Sequence, residues 1–175
     1  FYYILVYYLH KIFGYDPNVG RYFSSFLGII SIFSIGYLCS LLNKNNSYKL
    51  SIFLVSFNVF LITYSAELRS YMLLFFSTTM TLIFIIKYLN NIKNNHNSYF
   101  YLILLSLSQI INTTIHPFSF IVFFSICLFL LINFFKNKIV YKELNYSMLI
   151  TFIIISIITF YYYFGIKIIS DFNFV

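Results

Sequence analysis

Glu67 and Arg69 stand two residues apart in the stretch Tyr64-Ser65-Ala66-Glu67-Leu68-Arg69-Ser70-Tyr71, in a chain with only four acids and two arginines. A guanidinium presents a planar fork of donors that suits phosphate. A carboxylate beside it can take up or give back a proton, or hold the arginine in place. On a continuous helix, residues two apart point to nearly opposite sides, so the pair can serve one cavity only if the chain turns at Ala66. Tyr64, Glu67 and Tyr71 have i, i+3, i+7 spacing and would share a face, giving the carboxylate phenol neighbours. The plain alternative is an isolated Glu67–Arg69 surface pair, which contributes little. His116, in Asn112-Thr113-Thr114-Ile115-His116-Pro117, can shuttle a proton, donate to phosphate or ligate a metal. No HxxxH or HxxE accompanies it, so no metal site is assigned, and a helix-capping turn would also account for it. Asp16, Arg21 and Asp171 complete the candidates. His10 beside Lys11 reads as interfacial, and His96 in Asn94-Asn95-His96-Asn97 as a solvated loop residue.

The elements that must position these groups are helices in a membrane. The chain is 61% hydrophobic, 24% aromatic and 9% charged, whereas a soluble domain carries about 25% charged residues. Polar interruptions divide it into apolar runs at 1–13, 21–42, 50–66, 69–87, 99–113, 117–135 and 147–166. Strict alternation is absent, which argues against a membrane barrel. The prediction is an all-α, polytopic bundle: one membrane domain over 1–175, with about six full spans after an N-terminal helix. That first helix, with Tyr2, Tyr3, Tyr7 and Tyr8, is short for a span and reads as lying in the membrane plane or as the end of a truncated span. The stretch 50–87 contains neither Gly nor Pro, yet one helix of that length would be about 57 Å long, nearly twice the hydrocarbon thickness of roughly 30 Å. It must turn back, and Glu67 and Arg69, costly at a bilayer centre, mark the place. Pro117 suits the first position of the following helix.

Charge sets the orientation. Lys44, Lys49, Lys87, Lys93, Lys136, Lys138 and Lys142 fall in or beside loops 43–49, 88–98 and 136–146, against the single acid Glu143. The positive-inside rule makes these loops cytoplasmic. Alternate crossings then put Lys11 to Arg21, Glu67 to Arg69, Asn112 to Pro117 and Lys167 to Asp171 on the outer face. Both arginines, three of the four acids and His116 thus gather at one membrane surface, as expected of a site for an anionic lipid headgroup; residues at a membrane lip are also charged simply because they meet water. The net charge of +7 and pI near 9.3 do not indicate nucleic acid, because the cations form no basic stripe.

Cys39 and Cys127 lie inside apolar runs without CxxC or Cys/His spacing and read as buried, inert thiols. There is no Gly-rich phosphate loop, GxSxG, Ser/His/Asp arrangement or GxxxG within a span, which argues against nucleotide-dependent chemistry. Asn112-Thr113-Thr114 matches a glycosylation sequon but lies tight against the bilayer. The chain begins at Phe1 without a methionine, is apolar from its first residue, and stops at Val175 without a terminal pattern; it reads as a fragment of a longer protein.

The stretches Phe1-Tyr2-Tyr3-Ile4-Leu5, Leu9-His10-Lys11-Ile12-Phe13-Gly14, Arg21-Tyr22-Phe23-Ser24-Ser25-Phe26-Leu27-Gly28, Tyr64 to Tyr71 and Thr114-Ile115-His116-Pro117-Phe118 together resemble the GT-C membrane glycosyltransferases that use polyprenyl-phosphate sugars. These include the dolichyl-phosphate-mannose protein mannosyltransferases and the lipid A aminoarabinose transferases. The resemblance covers about the first two-thirds of the chain, and Tyr-x-x-Glu-x-Arg-x-Tyr at 64–71 is its most specific piece. It implies a helical membrane enzyme of the cell (inner) membrane that transfers a sugar, with inversion, on the non-cytoplasmic face. The donor is a polyprenyl-phosphate sugar and the acceptor a glycan, lipid or protein. Residues 1–13 then correspond to the family's membrane-plane helix. Arg21, Glu67, Arg69, Tyr71 and His116 would line the lipid-phosphate site. Glu67 supports catalysis by positioning a metal, the acceptor or Arg69, and a divalent metal is the one cofactor that the resemblance leaves open. The catalytic carboxylate itself is expected upstream of Phe1, and the Pro-Pro that usually precedes the aromatic helix is not visible.

Two other readings compete. An outer-leaflet polysaccharide polymerase or ligase also uses outer arginines, but expects a large outer loop downstream. A transporter or non-catalytic scaffold expects charges or helix breaks near span midpoints, whereas the span interiors here are nearly uncharged.

Overall fold

The structure, a computed structural model, describes residues 2–42, 47–94, 99–116, 118–136 and 157. No strand occurs among the described residues, which form seven helices: α1 (Tyr2–Phe13), α2 (Pro17–Leu42), α3 (Ser47–Ser56), α4 (Val59–Ala66), α5 (Tyr71–Lys93), α6 (Tyr99–Ile115) and α7 (Ser119–Lys136). The chain forms two units, Phe1–Ser119 and Phe120–Val175. The first holds α1 to α6 and every candidate residue described below.

Local signals explain where the helices begin and end. α1 stops at Gly14, whose φ of +96° is open to glycine and strained for other residues; its N–H donates to the His10 carbonyl at 2.9 Å. α2 begins at Pro17, four residues before the apolar run predicts. Proline is pre-set for a first helical position, and Asp16 caps the end by accepting the Asn18 N–H at 2.9 Å. The predicted unbroken span 50–66 is instead a pair, α3 and α4, bent by 57°. Asn58 causes the break. Its backbone leaves the helix at φ −71° and ψ 113°, and its side chain accepts the Leu61 N–H at 3.3 Å, starting α4 anew.

Two helices, α2 and α5, are long and apolar enough to cross a membrane, and α3–α4 makes a third if the bent pair is one span. α6 is apolar but shorter, at 17 residues. The predicted count of about six crossings is therefore two to three among the described residues. The span predicted at 147–166 lies outside them apart from residue 157.

In the first unit α2 is central: α1, α3, α4 and α5 pack on it, and α6 packs on α5. Three glycines of α2 mark the path of the bent pair. Gly36 faces Ile52, Gly28 faces Ser65 and Gly20 faces Leu68. These contacts run antiparallel to α2, so α3 and α4 together lie alongside it from Gly36 to Gly20. Gly20, Ser24 and Gly28 recur every four residues and are buried; such small-residue stripes let helix backbones approach closely in membranes. α1 is fastened to this stripe by the Tyr2 hydroxyl, 3.2 Å from Ser24 Oγ. Burial lifts the Tyr2 phenol above its ordinary pKa, and the Ser24 bond pulls the other way.

α5 and α6 are joined by a polar seam. Ser77 donates to Asn112 Oδ1, Asn112 Nδ2 donates to Thr81 Oγ1 at 3.0 Å, and Thr81 Oγ1 lies 3.0 Å from Ser108 Oγ. Towards one end of the unit, Lys87 Nζ of α5 sits 5.1 Å from the Tyr37 ring centre of α2 and 5.5 Å from that of Tyr101 in α6, a cation–π clamp across three helices. The outward face carries Tyr3, Ile4, Tyr7, Phe33, Phe53 and Ile103, all exposed. A surface so apolar suits lipid rather than water.

Candidate functional site

The end of the first unit opposite Lys87 is built around the turn at 67–70. α4 stops at Ala66, so Glu67 and Arg69 do not sit on a continuous helix; Glu67 is extended, at φ −94° and ψ 146°. α5 restarts at Tyr71, and the Ser70 carbonyl accepts the Leu74 N–H at 2.9 Å. The turn is pinned to α2 twice. Leu68 fills the space that a side chain at residue 20 would need, and Ser25 Oγ donates to the Ser65 carbonyl at 3.0 Å. Arg21, Ser25 and Gly28 fall on one stripe of α2 by i, i+4, i+7 spacing. Since Ser25 and Gly28 both meet Ser65, Arg21 lies one helical turn further along, at the level of the 67–70 turn.

At the turn, Arg69 Nε approaches Glu67 Oε2 to 3.2 Å. The approach is an ion pair without hydrogen-bond alignment, and Oε2 is shut off from solvent with no other donor. The side chains as wholes remain open, Arg69 at 62% and Glu67 at 38% exposure. The pair is thus held by geometry more than by energy, and the guanidinium keeps donors free to meet an anion.

Tyr64, Glu67 and Tyr71 do not share a helical face, because α4 ends between them. The turn achieves the same closeness differently: the Tyr64 and Tyr71 rings meet edge to face at 4.9 Å. Phe60 lies 4.3 Å from Tyr64 on one side, and His116 lies 5.4 Å from Tyr71 on the other. The His116 ring in turn is 4.9 Å from Phe118. His116 Nδ1 accepts the Phe118 N–H at 3.2 Å, so the neutral imidazole carries its proton on Nε2. Its carbonyl accepts from Ser119 Oγ at 2.6 Å and from Ser119 N at 3.1 Å. His116 is therefore both the turn-closing residue after α6 and a member of an aromatic row beside the ion pair.

Other predicted residues have different places. Asp16 is exposed and spends its carboxylate on capping α2. Arg21 is exposed and makes no ion pair among the described residues. His10 Nδ1 lies 3.2 Å from the Gly14 carbonyl, with the ring stacked on Tyr15, a role in closing α1. Cys39 is a half-buried free thiol. His96, Glu143, Lys167 and Asp171, and the Cys127 side chain, lie outside the described residues. Among the described residues no group of three His, Cys, Asp or Glu side chains gathers as a metal site.

Three features went unread in the sequence. The small-residue stripe of α2 was visible as Gly20-x-x-x-Ser24-x-x-x-Gly28, but not as GxxxG. The seam was visible as Ser77 and Thr81 facing Ser108 and Asn112, each pair four apart. Beside the seam, Gln109 is fully buried and neither end of its amide has a partner. The third feature, an apolar groove of about 460 Å³ between α1 and α2 lined by Leu9, Phe13, Val19, Tyr22, Phe23 and Phe26, depends on how the two helices splay and has no sequence signal. Comparison of the chain with family models, with curated proteins and with solved structures finds no match.

Proposed function

We propose that this chain is part of a multi-pass membrane glycosyltransferase of the GT-C type, crossing the cell membrane about six times. It would move a sugar from a polyprenyl-phosphate donor to a glycan, lipid or protein acceptor on the non-cytoplasmic face, with inversion at the sugar carbon. The observation that carries the reading is the docking of two of the stretches that carry the resemblance, 21–28 and 64–71, on each other. The Arg21–Ser25–Gly28 stripe lies against the Tyr64–Tyr71 turn, which brings both arginines, Glu67 and His116 to one end of the unit. The α1–α2 groove, lined on α2 by Val19, Tyr22, Phe23 and Phe26, lies along the same end of α2 as Arg21 and offers an apolar bed for a prenyl chain. In the reaction the acceptor oxygen bonds to the anomeric carbon while the bond from that carbon to the phosphate oxygen breaks, and its electron pair leaves with the phosphate. Arg69 and Arg21 stabilise that growing charge. The acceptor proton passes to a carboxylate acting as general base. Of the three roles open to Glu67, the 3.2 Å contact favours holding Arg69.

The test is the affinity of the chain, in phospholipid nanodiscs, for a short-chain polyprenyl phosphate. Arg21→Gln and Arg69→Gln should each weaken it about tenfold, the scale of one charge-assisted hydrogen bond. Unchanged affinity in the double variant overturns the phosphate role.

One observation favours a second reading, a transporter. The break at Phe57-Asn58 falls about halfway along the α3–α4 pair and borders a cavity of about 160 Å³ that includes Ser25, Ser56 and Ser65. Transporters place substrates at such discontinuous helices. Solute uptake by proteoliposomes of the chain, with no affinity for polyprenyl phosphate, would favour it.

A further inference from the structure

The row of rings at the 67–70 turn is more ordered than an interfacial aromatic belt requires. Belt tyrosines and phenylalanines point separately to the headgroup level. Here Phe60, Tyr64, Tyr71, His116 and Phe118, from three separate stretches of chain, meet in sequence at centroid spacings of 4.3 to 5.4 Å. Each successive pair is tilted or edge to face, so each ring is braced by its neighbours' edges. Tyr64, Tyr71 and His116 are half-buried, while Phe60 and Phe118 at the two ends of the row are exposed. The braced rings have little rotamer freedom left to lose on binding.

We propose that this row, with the Glu67–Arg69 pair at its edge, is a carbohydrate subsite that takes the apolar C–H face of a pyranose ring. The inference rests on the glycosyltransferase reading and deepens it, by adding to the arginines that hold the phosphate a set of rings that hold the sugar. Two kinds of group occur together here, and a pyranose needs both. Its axial C–H face packs on aromatic rings through the ring quadrupole, and its hydroxyl rim needs acceptors and donors placed to one side. The carboxylate and guanidinium supply these: they lie at the apex of the turn whose two ends are closed by the Tyr64–Tyr71 contact, and both are partly open to solvent. His116 adds a donor, since Nδ1 is occupied by the Phe118 N–H and the neutral ring's proton is on Nε2. A nucleobase would stack on such rings as well, but presents a planar face with no hydroxyl rim to match Glu67.

The test is saturation-transfer NMR on the chain in phospholipid nanodiscs with four probes: methyl α-mannopyranoside, methyl β-glucopyranoside, methyl β-galactopyranoside and methyl N-acetyl-β-glucosaminide. Sorbitol, an open-chain polyol without a ring face, serves as control. At least one pyranoside should receive saturation on the C–H protons of one ring face, and sorbitol none. Tyr71→Ala should weaken binding by between about two-fold and tenfold, the scale of one aromatic contact, while Tyr71→Phe keeps it. Phe118→Ser alters an exposed end of the row and carries little risk to folding; it should reduce the signal in the same direction. Arg21→Gln, outside the row, should leave ring-face saturation in place even where it weakens polyprenyl-phosphate binding, so failure of the phosphate role and failure of the sugar subsite read out separately. Absence of saturation for all four pyranosides, or saturation unchanged in both Tyr71→Ala and Phe118→Ser, overturns the proposal.

Discussion

At the scale of single residues, the charged groups gathered by the sequence separate into two kinds. Asp16 is a cap: its carboxylate oxygen accepts the Asn18 N–H next to Pro17, at the end of a 26-residue helix. Asp16→Ala should cost about 1 kcal/mol, the usual loss of a capping oxygen, seen as earlier thermal unfolding in nanodiscs, and Asp16→Ser should restore most of it. Polyprenyl-phosphate affinity should be unchanged in both; a loss in Asp16→Ala that Asp16→Ser does not recover would return Asp16 to the site. Glu67 and Arg69 are of the other kind. Neither caps a helix with its side chain, and they meet across two residues only because the chain is extended at Glu67. Residue type and scarcity sufficed to single out this pair. Which of the other charged residues acts as a cap depends on where α2 begins, and the apolar run alone places that beginning four residues late.

Among the elements, the helices themselves were readable as apolar runs, because a membrane helix leaves little room for any other pattern. The break between α3 and α4 was not, since no Gly or Pro marks it and a single Asn58 side chain replaces helix bonds with its own. The packing partners were also hidden, because hydropathy has no information about which small residue faces which neighbour. Gly28 shows the consequence. A Cβ there would stand 3.0 Å from Ser65 Cβ, which is fixed to the α4 backbone, and 3.5 Å from Met72 Cε. Gly28→Leu should push α4 away from α2, at a cost of about 1 to 3 kcal/mol, and carry the 67–70 turn with it. Thermal stability and polyprenyl-phosphate affinity should therefore fall together. Gly14→Ala is the matched control: its added carbon meets nothing within 4 Å but sits at φ +96°, so stability should fall by about 1 kcal/mol with affinity retained. Retained affinity in Gly28→Leu would show that the α2–α4 contact does not position the site.

For the whole molecule, the question is whether the bent pair crosses the membrane or turns back within it, because that choice fixes the side on which every later turn emerges. Gly36 meets Ile52 in the middle of α3, whereas Gly20 meets Leu68 just past the end of α4. Two contacts sixteen residues apart on one straight helix lie about 24 Å from each other, which is most of a bilayer core. On the proposed topology the pair is a broken crossing. With α2 and α5 as the other two, the turn at Tyr15 and the 67–70 turn emerge on one side, and the helix end at Asn94 on the other. Single cysteines at Tyr15 and Asn94, in a background with Cys39 and Cys127 replaced by serine, should be labelled by an impermeant maleimide from opposite faces of sealed vesicles. The lysine-rich loop around 88–98 should be cytoplasmic, as the positive-inside rule requires. Labelling of both positions from the same face would make α3–α4 re-entrant. The 67–70 turn would then emerge on the face opposite Tyr15, and Arg21 and Arg69 could not share one phosphate. A single topology measurement therefore bears on the arginine pair as directly as replacing either arginine does.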